Sequence, residues 1–395
     1  VLSATYEARR SGVHAAMPMG RARRLCPEAV VIEPDHDRYA EVSRGVMEVF
    51  RSVTPLVEPL GLDEAFIDVS GARLRAGDPR RIAAMIRDRV ADEQRITCSV
   101  GIAGTKFVAK LASAAAKPDG VRVVPEGETV TFLHGLPATA LWGVGEKTAE
   151  ALRRLGLVTV ADIAHTPVAT LRRALGDTVG GRLHEFAWGR DPRPVVPWQP
   201  ERSIGSEETF HTDVDDPDVI GRELLRLSER VAARARSAGL IGRTVVIRIR
   251  FADFTTITRS RTLPEHTDVA RVVHATALGL YDRLGLDRAR LRLVGVRLEG
   301  LVEASAGHHQ PTLGERPLGW REAEQAVDRA SARFGAGAVR PASLVARPDS
   351  GEETVRPRPA PRSGYAQDGH RYQDRHPNGR EWGDHPGGTA DRLSR

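Results

Sequence analysis

Apolar residues recur along this chain with two different periods, and the period that dominates changes with position. Tyr39, Val42, Val46, Val49 and Phe50 return every three or four residues, and so do Ile82, Met85, Ile86 and Val90; the spacing predicts amphipathic helices over 37–53 and 79–93. Between and around them lie short runs that suit strands: 1–5, 57–69 with a turn near Gly61, 97–103 and 120–124, with an apolar run at 30–33. A small-residue helix over 107–116 stops before Pro118. Strands and helices interleave here, so this part reads as α/β or α+β.

From Gly135 to Asp191 the pattern is helical throughout, and Arg193–Gln199, with Pro194 and Pro197, reads as an extended linker. The order then becomes strand, helix, two strands, helix, strand: 203–210, 216–238, 243–251, 256–263, 268–284 and 290–298. That order is a split βαβ module. Beyond Glu303 the chain is rich in Pro, Gly, Arg and His; one amphipathic stripe remains, Trp320, Ala323, Val327, Ala330 and Phe334, and disorder is expected from Pro348 onward.

The chain has 395 residues, of which 41% are hydrophobic, room for two to four domains with buried cores. No apolar run approaches the roughly 18 residues of a membrane span, and no secretory leader opens the chain, so a soluble, cytosolic protein is expected. Cys26 and Cys98 are too few for a disulfide framework or a thiolate zinc site. Any metal would therefore sit on oxygen or histidine. Net charge is +6, which favours a polyanionic partner without naming one. Of 58 basic residues only Lys106, Lys110, Lys117 and Lys147 are lysines. Against so strong an arginine bias, a retained lysine points to chemistry that a guanidinium cannot supply; clustering in one surface helix is the plainer alternative.

Asp63 and Glu64 stand where a turn enters an apolar strand. Neighbours in a strand point to opposite faces, so two such carboxylates meet one ion only at a bend. Mg²⁺ takes one or two carboxylates together with phosphate oxygens and water. Alone, the pair reads better as a solvated turn than as a metal site. It gains weight from Tyr6 and Arg9 in Ser3–Val13, and from Lys106 and Lys110, four apart on one helix face, with Lys117 at the next turn. Converging basic and hydroxyl groups beside a carboxylate-bound cation suit a triphosphate.

Leu141-Trp142-Gly143-Val144-Gly145-Glu146-Lys147 has the form of a helix-hairpin-helix, in which Gly143 and Gly145 let backbone N–H groups approach a phosphate beside the Lys147 ammonium; a generic corner between helices is the alternative. Arg248 and Arg250 alternate with apolar residues on one strand, as Arg259 and Arg261 do on the next. The four are expected to form one flat basic face that tracks duplex phosphates without reading sequence.

The collinear strings Tyr6-Glu-Ala-Arg9, Ala16-Met-Pro18, Leu62-Asp-Glu64-Ala-Phe, Gly101-Ile102, Lys106-Phe-x-Ala-Lys110-Leu-Ala-Ser113 and Lys117-Pro-x-Gly120 resemble the Y-family translesion DNA polymerases, in their DNA polymerase IV branch, over residues 1 to about 302. The resemblance implies an α+β multidomain fold, a right-hand core plus a little finger and a disordered C-terminal tail. Its parts would be partial fingers at 1–36, a palm lacking its first strand at 37–124, a helical thumb at 125–192, a linker at 193–201, the little finger at 202–303 and the tail at 304–395, with one short helix near 318–334. It implies template-directed, error-prone nucleotidyl transfer, with Asp63 as a Mg²⁺ ligand, Glu64 as the second carboxylate, and Tyr6, Arg9 and Lys117 on the incoming dNTP. Two Mg²⁺ ions about 3.5–4 Å apart would clamp the attacking and leaving oxygens.

Two departures accompany the resemblance. The family's first metal-binding aspartate and its ribonucleotide-screening aromatic residue would belong upstream of Val1, leaving an incomplete two-metal site in these residues. Gly61 stands where the family has serine, a change expected to be tolerated. Gln310 and Leu313 imperfectly match the peptide that docks on the sliding clamp. The expected partners are thus primer-template DNA, dNTPs and the clamp, for a monomer in the bacterial cytoplasm at the nucleoid. The alternatives are a catalytically incomplete protein that binds primer-template, and a helix-hairpin-helix nuclease or glycosylase, which leaves the final module without a place.

Overall fold

The computed structural model describes residues 1–306, 319–335 and 337–345. The chain divides into two compact units, Val1–Arg202 and Ser203–Arg395.

In the first unit, α1 (Tyr6–Arg10) and α2 (Met19–Leu25) close over Val13, Met17 and Ala22. Residues 1–5 form no strand: Thr5 is taken up as the cap of α1, accepting from the Ala8 N–H, while Val1 donates to Met17 O, accepts from the Ala16 N–H and packs against Val13, Met17 and Ala22. The apolar run 30–33 is likewise irregular, with Val30 87% and Ile32 82% exposed. α3 (His36–Val53) is capped by Asp35 and α5 (Pro79–Gln94) by Asp78, with Pro79 at the first position, where its missing N–H costs nothing. With the short α4 (Arg73–Ala76), they enclose a core of Val49, Val53, Ile82, Ile86 and Val90.

β1 (Val57–Pro59) and β2 (Ala65–Ile67) form an antiparallel hairpin. β3 (Val100–Ile102) and β4 (Val121–Val123) lie parallel, joined by α6 (Lys106–Ala115), a βαβ crossover. Gly101 makes that crossover close, because a Cβ there would sit 2.0 Å from Ala109 O and 2.2 Å from Ser113 N on α6. Buried Phe107, Val108 and Ala112 carry α6 into a second core that it shares with α7 (Thr129–His134), α8 (Glu146–Arg154), α9 (Val160–His165), α10 (Val168–Leu175) and α11 (Asp177–Ala187). The Phe107 and Phe186 rings stack there, 4.5 Å between centroids.

The second unit is one antiparallel sheet in the order β5 (Ser203–Val214), β8 (Leu291–Glu299), β6 (Leu240–Phe251), β7 (Thr256–Thr267), with β9 (Val302–Glu303) pairing the start of β6. α12 (Pro217–Ser237) and α13 (Ala270–Asp282) bury Ile220, Leu224, Val231, Val273 and Ala277 against Val245, Ile247, Val294 and Val296 on one face of it. Alternate residues are therefore apolar and buried on that face, as half-covered strands require. The expected helix in the C-terminal segment is present as α14 (Trp320–Phe334), and it is seated on this unit by ion pairs. Gln310, Leu313 and residues 346–395 lie outside the described residues.

Candidate functional site

The β1–β2 hairpin pairs Glu58 with Phe66 and Pro59 with Ala65, and its bend is closed by the Leu60 N–H donating to Glu64 O at 2.8 Å. Asp63 and Glu64 leave that bend consecutively. Glu58 and Phe66 share one face, and Glu64, two residues before Phe66, returns to it. α6 lies along this face. Residues four apart on a helix are separated by about 6 Å, close to two residues of strand, so Lys106 and Lys110 each meet a carboxylate. Lys106 Nζ donates to Glu58 Oε2 at 2.6 Å and Oε1 at 2.9 Å; Lys110 Nζ donates to Glu64 Oε2 at 2.5 Å.

These two rungs differ in depth. The side chains of Lys106 and Glu58 are 8% and 9% exposed, those of Lys110 and Glu64 33% and 50%. The Val196 N–H also donates to Glu58 Oε2 at 2.8 Å, and Lys106 lies 5.4 Å from the Phe66 ring centroid. Both ammonium groups expected to face a ligand are thus engaged by the protein, Lys106 in its interior.

Asp63 is exposed, and its carboxylate has no hydrogen bond or ion pair among the described residues. Those residues contain no group of three or more His, Cys, Asp or Glu side chains that could hold a metal ion. The donor set is thus two adjacent carboxylates at an open bend, one already taking a cation in the form of the Lys110 ammonium. That suits an ion that keeps most of its shell for water and phosphate, as Mg²⁺ does. A Cβ added at Gly61 would stand 3.6 Å from Asp63 Oδ1, so the serine expected there would bring its hydroxyl beside this carboxylate.

Tyr6 and Arg9 meet on α1, the guanidinium 5.7 Å from the ring centroid and its Nε donating to Ala4 O at 2.9 Å. Lys117 follows α6 and is exposed, and the loop beyond it is pinned by Arg87, which donates to the side chain of Asp119 at 2.7 Å and to its carbonyl at 2.8 Å. No hydrogen bond or ion pair among the described residues joins Tyr6, Arg9 or Lys117 to Asp63 or Glu64.

Gly143 takes φ +96°, a left-handed conformation that glycine enters freely, and Gly145 precedes α8, which has no side-chain cap. Among the described residues no side chain caps its first N–H groups, which stand beside the exposed Lys147. Arg182, from α11, reaches within 3.6 Å of where a Cβ of residue 143 would lie, a basic neighbour that sequence spacing does not reveal.

Trp142 was legible only as an apolar residue of the hairpin. Its ring lies 5.9 Å from that of Phe66, 5.9 Å from Lys110 Nζ and 4.6 Å from the Arg193 guanidinium. Arg193 also pairs with Asp191 at 2.7 Å. Burial pushes the Asp191 carboxyl up, but hydrogen bonds from the Arg193 side chain and backbone outweigh it and hold the carboxyl below its ordinary range. One indole therefore touches the ring behind the carboxylate bend and the ammonium that holds Glu64, while its neighbour Gly143 forms the hairpin turn. Glu58, a lone carboxylate between apolar residues, likewise carried no signal in the sequence.

In the second unit, cross-strand register corrects the expected arginine face. Arg248 pairs with Thr258 and Arg250 with Thr256, but Arg259 pairs with Ile247 and Arg261 with Val245. Directly opposed residues project to the same face. Arg259 and Arg261 therefore lie on the helix-bearing face, exposed along the edge strand, and Arg248 and Arg250 on the other. The row through Arg248 continues over Gly295 to Glu207, and Arg248 pairs with Glu207 at 3.1 Å. Gly295 leaves that passage open, since a Cβ there would lie 2.7 Å from Glu207 Cγ. Arg297 joins Arg248 and Arg250 on the same face, with Thr244, Thr256, Thr258, Ser260 and Thr262.

Residues 1–114 match the impB/mucB/samB family, 139–191 the thumb domain of DNA polymerase-iota, and 201–313 the C-terminal domain of the impB/mucB/samB family. The chain is 42% identical over 350 residues to a DNA polymerase IV of Desulfatibacillum aliphaticivorans, covering 87% of each chain. It is 40% identical over 302 residues to that of Alkalilimnicola ehrlichii, covering 76% of this chain and 84% of the relative. In fold it is similar to a Y-family DNA polymerase chimera built on Dbh, with a TM-score of 0.67 at 23% identity, covering 76% of this chain and 86% of the other. An insertion ternary complex of Dbh DNA polymerase gives a TM-score of 0.54 at 23% identity, covering 77% and 88%.

Proposed function

The chain belongs to the Y-family of DNA polymerases, the impB/mucB/samB family, and from that premise we propose that it is a template-directed DNA polymerase of translesion synthesis whose chemistry centres on Asp63 and Glu64. The observation that carries the site assignment is the open bend on which Asp63 stands exposed and unpaired among the described residues, while Lys110 holds Glu64 beside it.

In this reading Asp63 and Glu64 hold Mg²⁺, which when bound supplies a Lewis acid that neutralises developing charge on phosphoryl oxygens. Tyr6, Arg9 and Lys117 bind and orient the triphosphate of a dNTP. Lys110 neutralises the Glu64 carboxylate until a metal ion takes its place, and Trp142 lies beside Lys110. The N–H groups that follow Gly143 and Gly145, with Lys147 and Arg182, take a backbone phosphate of primer-template DNA. Arg248, Arg250 and Arg297 take others, and Arg259 and Arg261 reach phosphates only from the edge strand. Such contacts fix position and carry no base sequence.

The remaining assignments belong to the same proposal. Residues 1–36 act as fingers, 37–124 as palm, 125–192 as thumb, 193–201 as linker and 202–303 as little finger; the protein works as a monomer at the nucleoid in the cytoplasm, and Gln310 and Leu313 dock on a sliding clamp. Among the described residues no helix is long and apolar enough to cross a membrane.

The test is primer extension with Mg²⁺, on the chain as it stands and on a version preceded by the aspartate-bearing first strand of a relative. Asp63→Ala is expected to lower extension at least about 100-fold, the several kcal/mol that metal chemistry supplies, with primer-template affinity kept within about twofold. Equal extension by the variant would remove Asp63 from the chemistry. DNA binding without extension in both versions would favour the non-catalytic alternative.

A further inference from the structure

The turn between β6 and β7 displays an aromatic ring that the fold does not require. Phe254 takes φ +67°, a conformation in which a bulky side chain is an outlier and glycine or asparagine would sit without strain. The turn is fixed by the Phe254 N–H donating to Phe251 O at 3.0 Å and the Thr255 N–H donating to Asp253 Oδ1 at 2.8 Å, neither of which uses the ring. The side chain is nevertheless held outward, with Phe254 64% exposed.

One face of the ring is already plated. The Arg292 guanidinium lies 4.5 Å from its centroid and is clamped by Asp213 at 3.0 Å, while Arg292 Nε is buried without a hydrogen-bond partner. A guanidinium so fixed acts as a stacked plate rather than as a solvated cation. Arg250 donates to Thr256 Oγ1 at 3.1 Å on one side of the turn. On the other, the Ala252 N–H donates to the carbonyl of Arg290, whose side chain is 67% exposed.

We propose that Phe254 is a stacking platform for an unpaired nucleobase of a single-stranded nucleic acid segment, with Arg250 and Arg290 receiving the flanking phosphates. The chemistry favours a base over an apolar protein surface. Asp253, Thr255 and Thr256 along the turn, and Arg290 across it, are exposed polar residues, a setting that suits a base better than an apolar protein surface. Every nucleobase has a π-face to match, and cations beside the ring complement the backbone that carries it. Strained backbone at an exposed, charge-lined turn is also where functional side chains collect.

The inference rests on the sheet of this unit facing DNA, and the test separates the two. Phe254→Gly removes the ring and suits the backbone at φ +67°, so misfolding does not account for a loss. Binding of the full chain is measured by fluorescence anisotropy to a primer-template with a single-stranded overhang and to a blunt duplex. Phe254→Gly is expected to weaken overhang binding about 5- to 100-fold, the range seen for removing one stacked base contact, and to leave the duplex within about twofold. Phe254→Trp should keep overhang binding within about twofold and show indole quenching by oligothymidylate. Unchanged overhang affinity in Phe254→Gly, or equal weakening on both probes, overturns the proposal. Arg248→Ala with Arg297→Ala reports on the sheet alone: if blunt-duplex binding survives that pair, the DNA-facing sheet fails, whatever Phe254→Gly does on the overhang.

Discussion

Arg236 in the second unit and Lys110 in the first each hold a glutamate, in opposite surroundings. The Arg236 side chain is 6% exposed; it pairs with Glu324 and with Asp328 at 2.6 Å, and donates to Asp268 O at 2.7 Å. Glu324 in turn accepts from the Ala270 N–H at 2.8 Å, capping α13, while Arg321 grips Asp268 at 2.8 Å. The Lys110–Glu64 pair is half in water. A half-exposed pair contributes about 0–1 kcal/mol, so Glu64 can exchange an ammonium for another cation at little cost. A buried pair that loses one partner leaves a charge stranded. Burial, not residue type, makes one cluster a fastening and leaves the other open to exchange.

The comparison breaks most visibly at Arg236. Arg236→Met leaves Glu324 and Asp328 on α14 without the counter-charge that α12 supplies, beside Glu229, whose carboxyl is already pushed up by burial and by Glu324. A loss of about 3–5 kcal/mol in urea unfolding of the second unit is expected, with α14 and the first turn of α13 losing amide protection before the sheet. A loss under about 1 kcal/mol would mean that α14 is held by something other than these charges.

Lys110 sharpens the contrast from the other side. Lys110→Met removes a cation that competes for Glu64, so Mn²⁺ binding, followed by its paramagnetic effect on water relaxation, is expected to tighten by up to about fivefold while stability moves by less than about 1 kcal/mol. Lys106→Met, one helical turn away, should do the reverse: no change in Mn²⁺ affinity, and about 3–5 kcal/mol of destabilisation from the stranded Glu58. Equal behaviour of the two variants would erase the distinction between the rungs.

What could be read beforehand follows the same division. The strands and helices of the second unit were legible because β5, β6 and β7 each run 12 residues, long enough for a period of two to declare itself. Their register was not. Alternation fixes which residues share a face within a strand, but the phase between strands is set by the turn at 252–255, and that turn places Arg259 opposite Ile247. The stripe of α14 suggested an apolar seat; the helix docks through Glu324 and Asp328, positions that a search for apolar period passes over. In the first unit Asp63 and Glu64 were visible as a local pair. Glu58, Trp142 and Arg193 were not, because what gives them meaning is α6 and the linker crossing one hairpin face from distant parts of the sequence.

The smallest effect concerns His274 on α13. Its Nε2 is buried with no hydrogen-bond partner, and burial lowers its pKa below the ordinary 6.5, against an opposing hydrogen bond with the Gly221 backbone. The unfolded chain therefore takes up a proton at a higher pH than the folded one. Stability from the neutral imidazole is complete above about pH 6.5 and is lost as the pH falls through that value toward the folded pKa. Glu229 works in the other direction: with a folded pKa raised above 4.5, its contribution is complete below that value and is lost as the pH rises through the folded pKa. A difference measurement separates them. Thermal melts of the chain and of His274→Gln between pH 7.5 and 5.5, a range of about one unit either side of the free imidazole, should diverge by a few degrees, the wild-type curve falling more steeply toward acid. Parallel curves would mean that the folded imidazole takes up its proton as readily as the unfolded one, and that the buried nitrogen finds an acceptor when it does.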